Sequence, residues 1–208
     1  MRRSRAGFSA STTPTGFHRQ AVQFCALVAG HARLPLRVFL QRVHQSLPEL
    51  YAAALALPDL CPENEPSYTP VSPKEWRRLC RAIDARLGHR TYYAEVFDAY
   101  DRQDSQTLIG NLADDLASIH DDLNNGLRCW RAGDRDNAVW YWRFMRECHW
   151  GEHATGAIRA LYWLQRNTGY GPVPAMPNKR VNPPHSAVTA PAEKGRRRAG
   201  GRAGHARR

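Results

Sequence analysis

The sequence contains no stretch long and apolar enough to cross a bilayer. Its longest apolar run, residues 51–57, falls far short of the ~20 residues a membrane helix requires. Cysteine is scarce and poorly spaced. The five cysteines, Cys25, Cys61, Cys80, Cys129 and Cys148, are odd in number and include no C-x-x-C pair. That excludes a disulfide framework and a zinc knuckle, and it points to a reducing, cytoplasmic compartment. Cys129 and Cys148 fall in helical patterns and read as small buried hydrophobes. Lysine is nearly missing, 3 residues against 27 arginines, a ratio that reads as the codon bias of a GC-rich genome. P-loop, G-x-G-x-x-G and G-x-S-x-G patterns are lacking, so nucleotide-fold and hydrolase-elbow readings have no support. No acidic residue precedes Glu49.

What is there suits one folded unit. The 208 residues are 42% hydrophobic with a mean hydropathy of −0.60, enough apolar material for a core in a soluble chain. The net charge of +11 is confined to the ends. Residues 1–15 carry +3 and residues 171–208 carry +8, while residues 16–170 hold 18 basic and 18 acidic side chains. The high isoelectric point is thus a property of the tails, and the body is neutral. The first fifteen positions, rich in Arg, Ser and Thr, resemble a transit peptide. Phe17, Ala21, Phe24 and Val28 nevertheless recur at helical spacing, so residues 1–15 read as a disordered leader before a first helix.

Helical periodicity dominates from there, and strand alternation is hard to find. The first helix runs over residues 17–32. A second carries Leu36, Leu40, Val43, Leu47, Leu50, Ala54 and Leu57; Pro48 and a capping-box pattern at Ser46 predict a kink there or two abutting helices. Four prolines make residues 58–71 a loop. Ser72, Pro73 and Glu75 form a helix start, and Gly88 ends that third helix. The aromatic segment 92–97 reads as a short helix or an ordered loop. A fourth helix, residues 108–130, has a leucine stripe, and Ala132-Gly133-Asp134 turns it into a fifth that continues to about residue 165. That last helix is apolar nearly all round, the pattern of a central helix enclosed by others. The expected fold is all-α: a single bundle of five or six helices over residues 16–168 with a C-terminal helical hairpin. Residues 169–208 read as a disordered basic tail.

Three clusters carry chemistry. His149-Trp150-Gly151-Glu152-His153 has the H-x-x-E-H pattern of one class of zinc peptidases, with histidines four apart on one helix face. Asp115 or His120 on the fourth helix would supply a third ligand, with Glu152 assisting; the competing reading is packing of buried histidines. Asp114, Asp115, Asp121 and Asp122 form an acidic set. Asp114 and Asp121 point to the wet side, whereas Asp115 and Asp122 lie on one edge. From there they are expected to pair with Arg143 or Arg146 and fix the register of the hairpin, or to hold a divalent ion. Arg146, His149 and His153 make a polar line on a greasy helix one turn after Trp142, the kind of line found at ligand pockets inside bundles. The third cluster is the cationic tail. Arg196, Arg197, Arg198, Arg202, Arg207 and Arg208 would attract polyanions such as nucleic acid by counterion release, without aromatics to select bases.

Several segments carry a family resemblance. They are Leu47-Pro48-Glu49-Leu50-Tyr51, the run Tyr92-Tyr93-Ala94-Glu95-Val96-Phe97, residues 111–123 with Asp114-Asp115 and Asp121-Asp122, and His149-Trp150-Gly151-Glu152-His153 followed by Ala157-Ile158-Arg159-Ala160-Leu161. In this order, over roughly residues 17–165, the chain resembles the bacterial family called domain of unknown function 5063. The family pattern has an aspartate where this chain has Ser118. The resemblance implies a small helical protein with no assigned activity or cofactor, and it supplies no catalytic residue. The expected function is therefore a helical module, without catalysis or cofactor, that binds a protein or small ligand through Asp115, Asp122, Trp142, Arg146, His149 and His153. A metal-dependent hydrolase built on His149, His153 and Asp115 is the alternative.

Overall fold

The computed structural model describes residues 13–62, 70, 72–96, 100 and 107–173. Of the expected leader at 1–15, residues 1–12 lie outside the described residues, and Pro14 and Thr15 already belong to the first helix; the arginine-rich tail also lies outside the described residues. Among the described residues the chain builds six α-helices: α1 (Pro14–Ala29), α2 (Leu36–Leu55), α3 (Pro73–Leu87), α4 (Leu112–Arg131), α5 (Arg135–Cys148) and α6 (Trp150–Thr168). Short 3₁₀ turns cover His31–Arg33 and Gly88–Thr91.

Local chemistry sets most of the boundaries. The Thr13 hydroxyl accepts the Gly16 amide at 3.0 Å and starts α1. Ser72 and Glu75 close a reciprocal capping box on α3, as the sequence predicts. Asp134 caps α5 through the Asn137 amide. Of the two expected arrangements for α2, two abutting helices do not occur: one helix runs through Pro48, and the Ser46 hydroxyl donates to the Val43 carbonyl instead of capping. Val43, Leu47 and Leu50 on either side are buried, and that packing outweighs the ~3 kcal/mol an internal proline costs.

Segment 92–97 and the start of the fourth helix differ from expectation. Tyr92–Glu95 forms β1 and Leu108–Asn111 forms β2, antiparallel, with Tyr92 opposite Asn111 and Glu95 opposite Leu108. The pairing ends at the helix cap. Asn111 Oδ1 accepts the Ala113 and Asp114 amides at 2.9 and 3.1 Å, and the Thr91 hydroxyl donates to the same oxygen at 2.9 Å. The hairpin is thereby stapled to the first turn of α4.

The central helix is α4, not the aromatic C-terminal one. It packs against α1, α3, α5 and α6, and thirteen of its twenty residues are buried despite its aspartates. The expected single fifth helix is two helices, broken at His149 (φ −151°, ψ −80°). A Cβ on Gly151 would sit 2.0 Å from the Arg146 carbonyl oxygen, so only glycine permits this fold-back. Trp150 locks it, its indole donating to the Trp142 carbonyl at 3.0 Å. The break turns Phe144, Tyr162 and Trp163 outward, where they are about half exposed.

At the C-terminal end, the first residues of the expected tail pack on the bundle. Tyr170 is buried and its hydroxyl meets His44 Nδ1 at 2.8 Å, Arg90 Nε donates to the Gly171 carbonyl at 2.7 Å, and Val173 lies against the core. Truncation after residue 173 is therefore expected to leave the thermal midpoint unchanged. Truncation after residue 168 should lower stability by roughly 2 kcal/mol, a fall of about 5 °C by calorimetry.

Candidate functional site

Positions 115 and 122 lie two helical turns apart on one edge of α4, and α6 lies across that edge. Burial there is nearly complete, with Asp115 5% and Asp122 4% exposed. Each carboxylate is met by an imidazole: His153 Nδ1 lies 2.9 Å from Asp115 Oδ1, and His149 Nδ1 lies 2.7 Å from Asp122 Oδ2. The two rings stand edge to face with centroids 4.9 Å apart. With Nδ1 committed to the carboxylate, Nε2 of each ring has no partner among the described residues.

β1 completes the site from the other side. Tyr93 and Glu95, two apart on a strand, share a face. The Tyr93 hydroxyl donates to Asp115 Oδ2 at 2.9 Å and approaches Glu95 Oε2 at 3.4 Å, and Arg159 of α6 donates to Glu95 Oε1 at 3.1 Å. Both Asp115 oxygens are thus engaged. Tyr93 sits in a slot made by two glycines: a Cβ on Gly110 would fall 2.4 Å from its ring, and one on Gly156 would fall 2.5 Å from its hydroxyl.

Burial and charge set the proton positions. Burial raises Asp115 to about 6, although the His153 hydrogen bond and charge, and the Tyr93 hydroxyl, pull the other way. For His153 burial works against the charged ring, but the Asp115 hydrogen bond and the charges of Asp115, Asp114 and Glu152 outweigh it, and the net shift is upward. The two groups are thus coupled, each shifted upward and each dependent on the proton of the other. Burial, then the adjacent Asp115 and Glu95 charges, hold the Tyr93 phenol protonated as a donor. Burial raises Asp114, against the charges of His153 and His149, which both lower it. Burial and the neighbouring Asp122 charge lift Asp121 to about 6.

The structure brings together Asp115, Asp122, His149 and His153 and separates the rest. The expected Asp–Arg pairs do not form: Arg143 pairs with Asp59 and Glu147, and Arg146 with Glu147, because the break at His149 turns the end of α5 away from α4's acidic edge. Trp142 is fully buried in the core and presents no ligand surface. Asp114 and Asp121 are half-buried, not on a wet face, since α3 and α6 both pack on α4. His120 lies against Asn124, outside the group of Asp114, Asp115 and His153 whose donor atoms fall within 4.8 Å of one another. Tyr93, Glu95, Asp114 and Arg159 were missed as site residues. The signal for the first two was the strand alternation in Tyr92-Tyr93-Ala94-Glu95.

Six helices, the buried α4 at their centre, with an aspartate–histidine edge under a small hairpin, define the class: a helical-bundle domain. The pattern of the domain of unknown function DUF5063 matches residues 9–167, and the chain belongs to that family. Its fold is similar to the crystal structure of protein BF1032 from Bacteroides fragilis, with a TM-score of 0.60 at 19% identity, covering 72% of this chain and 89% of that one. No curated protein matches the chain.

Proposed function

We propose that the chain is a non-catalytic binding module of a reducing cytoplasm, and that its ligand is a small cation seated on the α4–α6 edge. The observation that carries this reading is the burial of Asp115 and Asp122, each spending an oxygen on an imidazole. Buried carboxylates are a poor source of stability, and apolar residues of similar size would pack the same edge more favourably. Their presence beside Asp114, Asp121 and Glu95 makes the edge acidic, with Arg159 already spent on Glu95. Free thiols at all five cysteines fit the compartment. The hydrolase alternative draws on the same histidine pair, whose rings lie 4.9 Å apart across the break at His149, and it needs a catalytic group beyond them. A protein-contact reading has separate support in the exposed Phe144, stacked on Trp140, and the exposed Tyr162 and Trp163.

Thermal-shift measurements on tag-free protein test the cation reading against panels of amines, divalent cations, carboxylates and nucleotides. Cations at about 100 times their Kd should add roughly 2.7 kcal/mol and raise the midpoint by several degrees. Asp122→Asn, which leaves its partner His149 without a charged acceptor, should shrink that response. A shift produced by anions alone, or no shift by any cation, overturns the reading.

A further inference from the structure

Within the acidic edge the donors are not evenly spread. Asp114 and Asp115 on α4 and His153 on α6 place one donor atom each within 4.8 Å of one another. In a tetrahedral site with bonds of ~2.0–2.1 Å, ligand atoms lie about 3.3 Å apart, so at most ~1.5 Å of side-chain movement closes the group on an ion. Asp114 is half-buried, and its carboxylate accepts no hydrogen bond from any described residue, although both imidazoles act on its charge. That is an oxygen donor left unpaired beside two oriented nitrogens. The imidazoles are also held as a metal requires. Asp122 fixes Nδ1 of His149, the outer carboxylate that sets tautomer and ring orientation in carboxylate–histidine–metal triads, while Asp115 Oδ1 and His153 Nδ1, 2.9 Å apart, stand near ligand spacing around a hydrogen that an ion would displace. The donors come from rigid helices tied by Trp150 and by the Tyr93 clamp, not from a loop.

We propose that Asp114, Asp115 and His153 bind one divalent transition-metal ion of the zinc class, with His149 beside them as a further imidazole donor. The proposal rests on the reading of the α4–α6 edge as a ligand site and names the ligand. Imidazole in the donor set selects zinc, cobalt or nickel over magnesium and calcium, which take oxygen donors alone. Two carboxylates balance the charge of the ion. Tyr93 is a positioning residue: its hydroxyl holds Asp115 Oδ2 and sets which way that carboxylate faces.

Isothermal titration of full-length, tag-free protein at neutral pH with zinc, with magnesium in parallel, reads the site directly. One equivalent of zinc is expected, undisturbed by about a hundredfold excess of magnesium. Asp114→Asn and His153→Gln should each weaken zinc binding tenfold or more, and Asp122→Asn by about tenfold through its hold on His149. His120→Gln, on another face of α4, should leave it unchanged. Bound cobalt should show a visible absorption band that His153→Gln alters. Asp114 has no hydrogen-bond partner to lose, so Asp114→Asn keeps the fold and the test does not hinge on a misfolded variant. Zinc below about a fifth of an equivalent, or binding that survives the Asp114→Asn/His153→Gln double variant, overturns the site. If zinc fails while an organic cation still raises the midpoint and Asp122→Asn abolishes the effect, the metal assignment falls and the binding-module reading stands. If no cation binds, both fall.

Discussion

Trp142→Ala is expected to cost about 3–5 kcal/mol, the largest loss of any single side chain in the bundle, and to lower the thermal midpoint by roughly 10 °C or more. The indole is fully buried between α1 and α4. It lies 5.0 Å from the Phe17 ring and 5.8 Å from Trp130, and its Nε1 donates to the Leu123 carbonyl at 3.0 Å. Gly126 makes the space: a Cβ there would meet Trp142 Nε1 at 2.1 Å. Truncation therefore leaves a large cavity and removes the second hydrogen bond that the Leu123 carbonyl accepts in the middle of the central helix. Trp142→Phe should recover part of the loss, because the ring remains and the hydrogen bond does not. Trp163→Ala, at a position 51% exposed, should stay within about 0.5 kcal/mol of the parent. Chemical denaturation of the three variants measures all of this. A Trp142→Ala protein within about 1 kcal/mol of the parent would mean that the core does not depend on this ring.

Acidification should expose a second large effect, at His120. Burial lowers its pKa to about 4, and Asn124 lies 3.0 Å from Nε2. An unfolded chain takes a proton on this ring below the ordinary histidine value of about 6.5, whereas the folded protein refuses it until about pH 4. Between those limits the unfolded state binds more protons, so stability falls as pH falls. His120→Gln cannot titrate. The stability difference between parent and variant should move against the parent by roughly 2–3 kcal/mol from pH 7 to pH 4. Asp115 and Asp121, raised by burial, push the other way, but they are common to both proteins and cancel in the difference. His18, His31 and His44 are lowered chiefly by burial and add to the same acid sensitivity. Denaturation curves at pH 7, 5.5 and 4 suffice, and a difference that stays flat across them refutes the assignment.

The features that periodicity and caps encode were legible in the sequence. Ser72 with Glu75, the leucine stripe of α4 and the turn at Gly133-Asp134 each depend on neighbours in the chain, and each is where the pattern places it. What failed depended on contacts between distant segments. Pro48 reads as a break locally, yet with Val43, Leu47 and Leu50 buried around it α2 continues as one helix. The helix break at His149 has no proline to announce it; its sign is Gly151, whose need shows only when the Arg146 carbonyl is seen against it. The same holds for the site. Aspartates on one edge of α4 were legible, but their histidine partners depend on that break, and four-residue strands carry too little alternation to stand out beside six helices.

The hairpin is anchored at one end. Its register is fixed at the Tyr92–Asn111 end, where Thr91 and Asn111 join it to the cap of α4. Tyr93 is therefore set over Asp115 from the helix side, through the same Asn111 oxygen that caps α4. A change at Asn111 would accordingly reach the helix cap and the acidic edge together, and neither can be altered without the other.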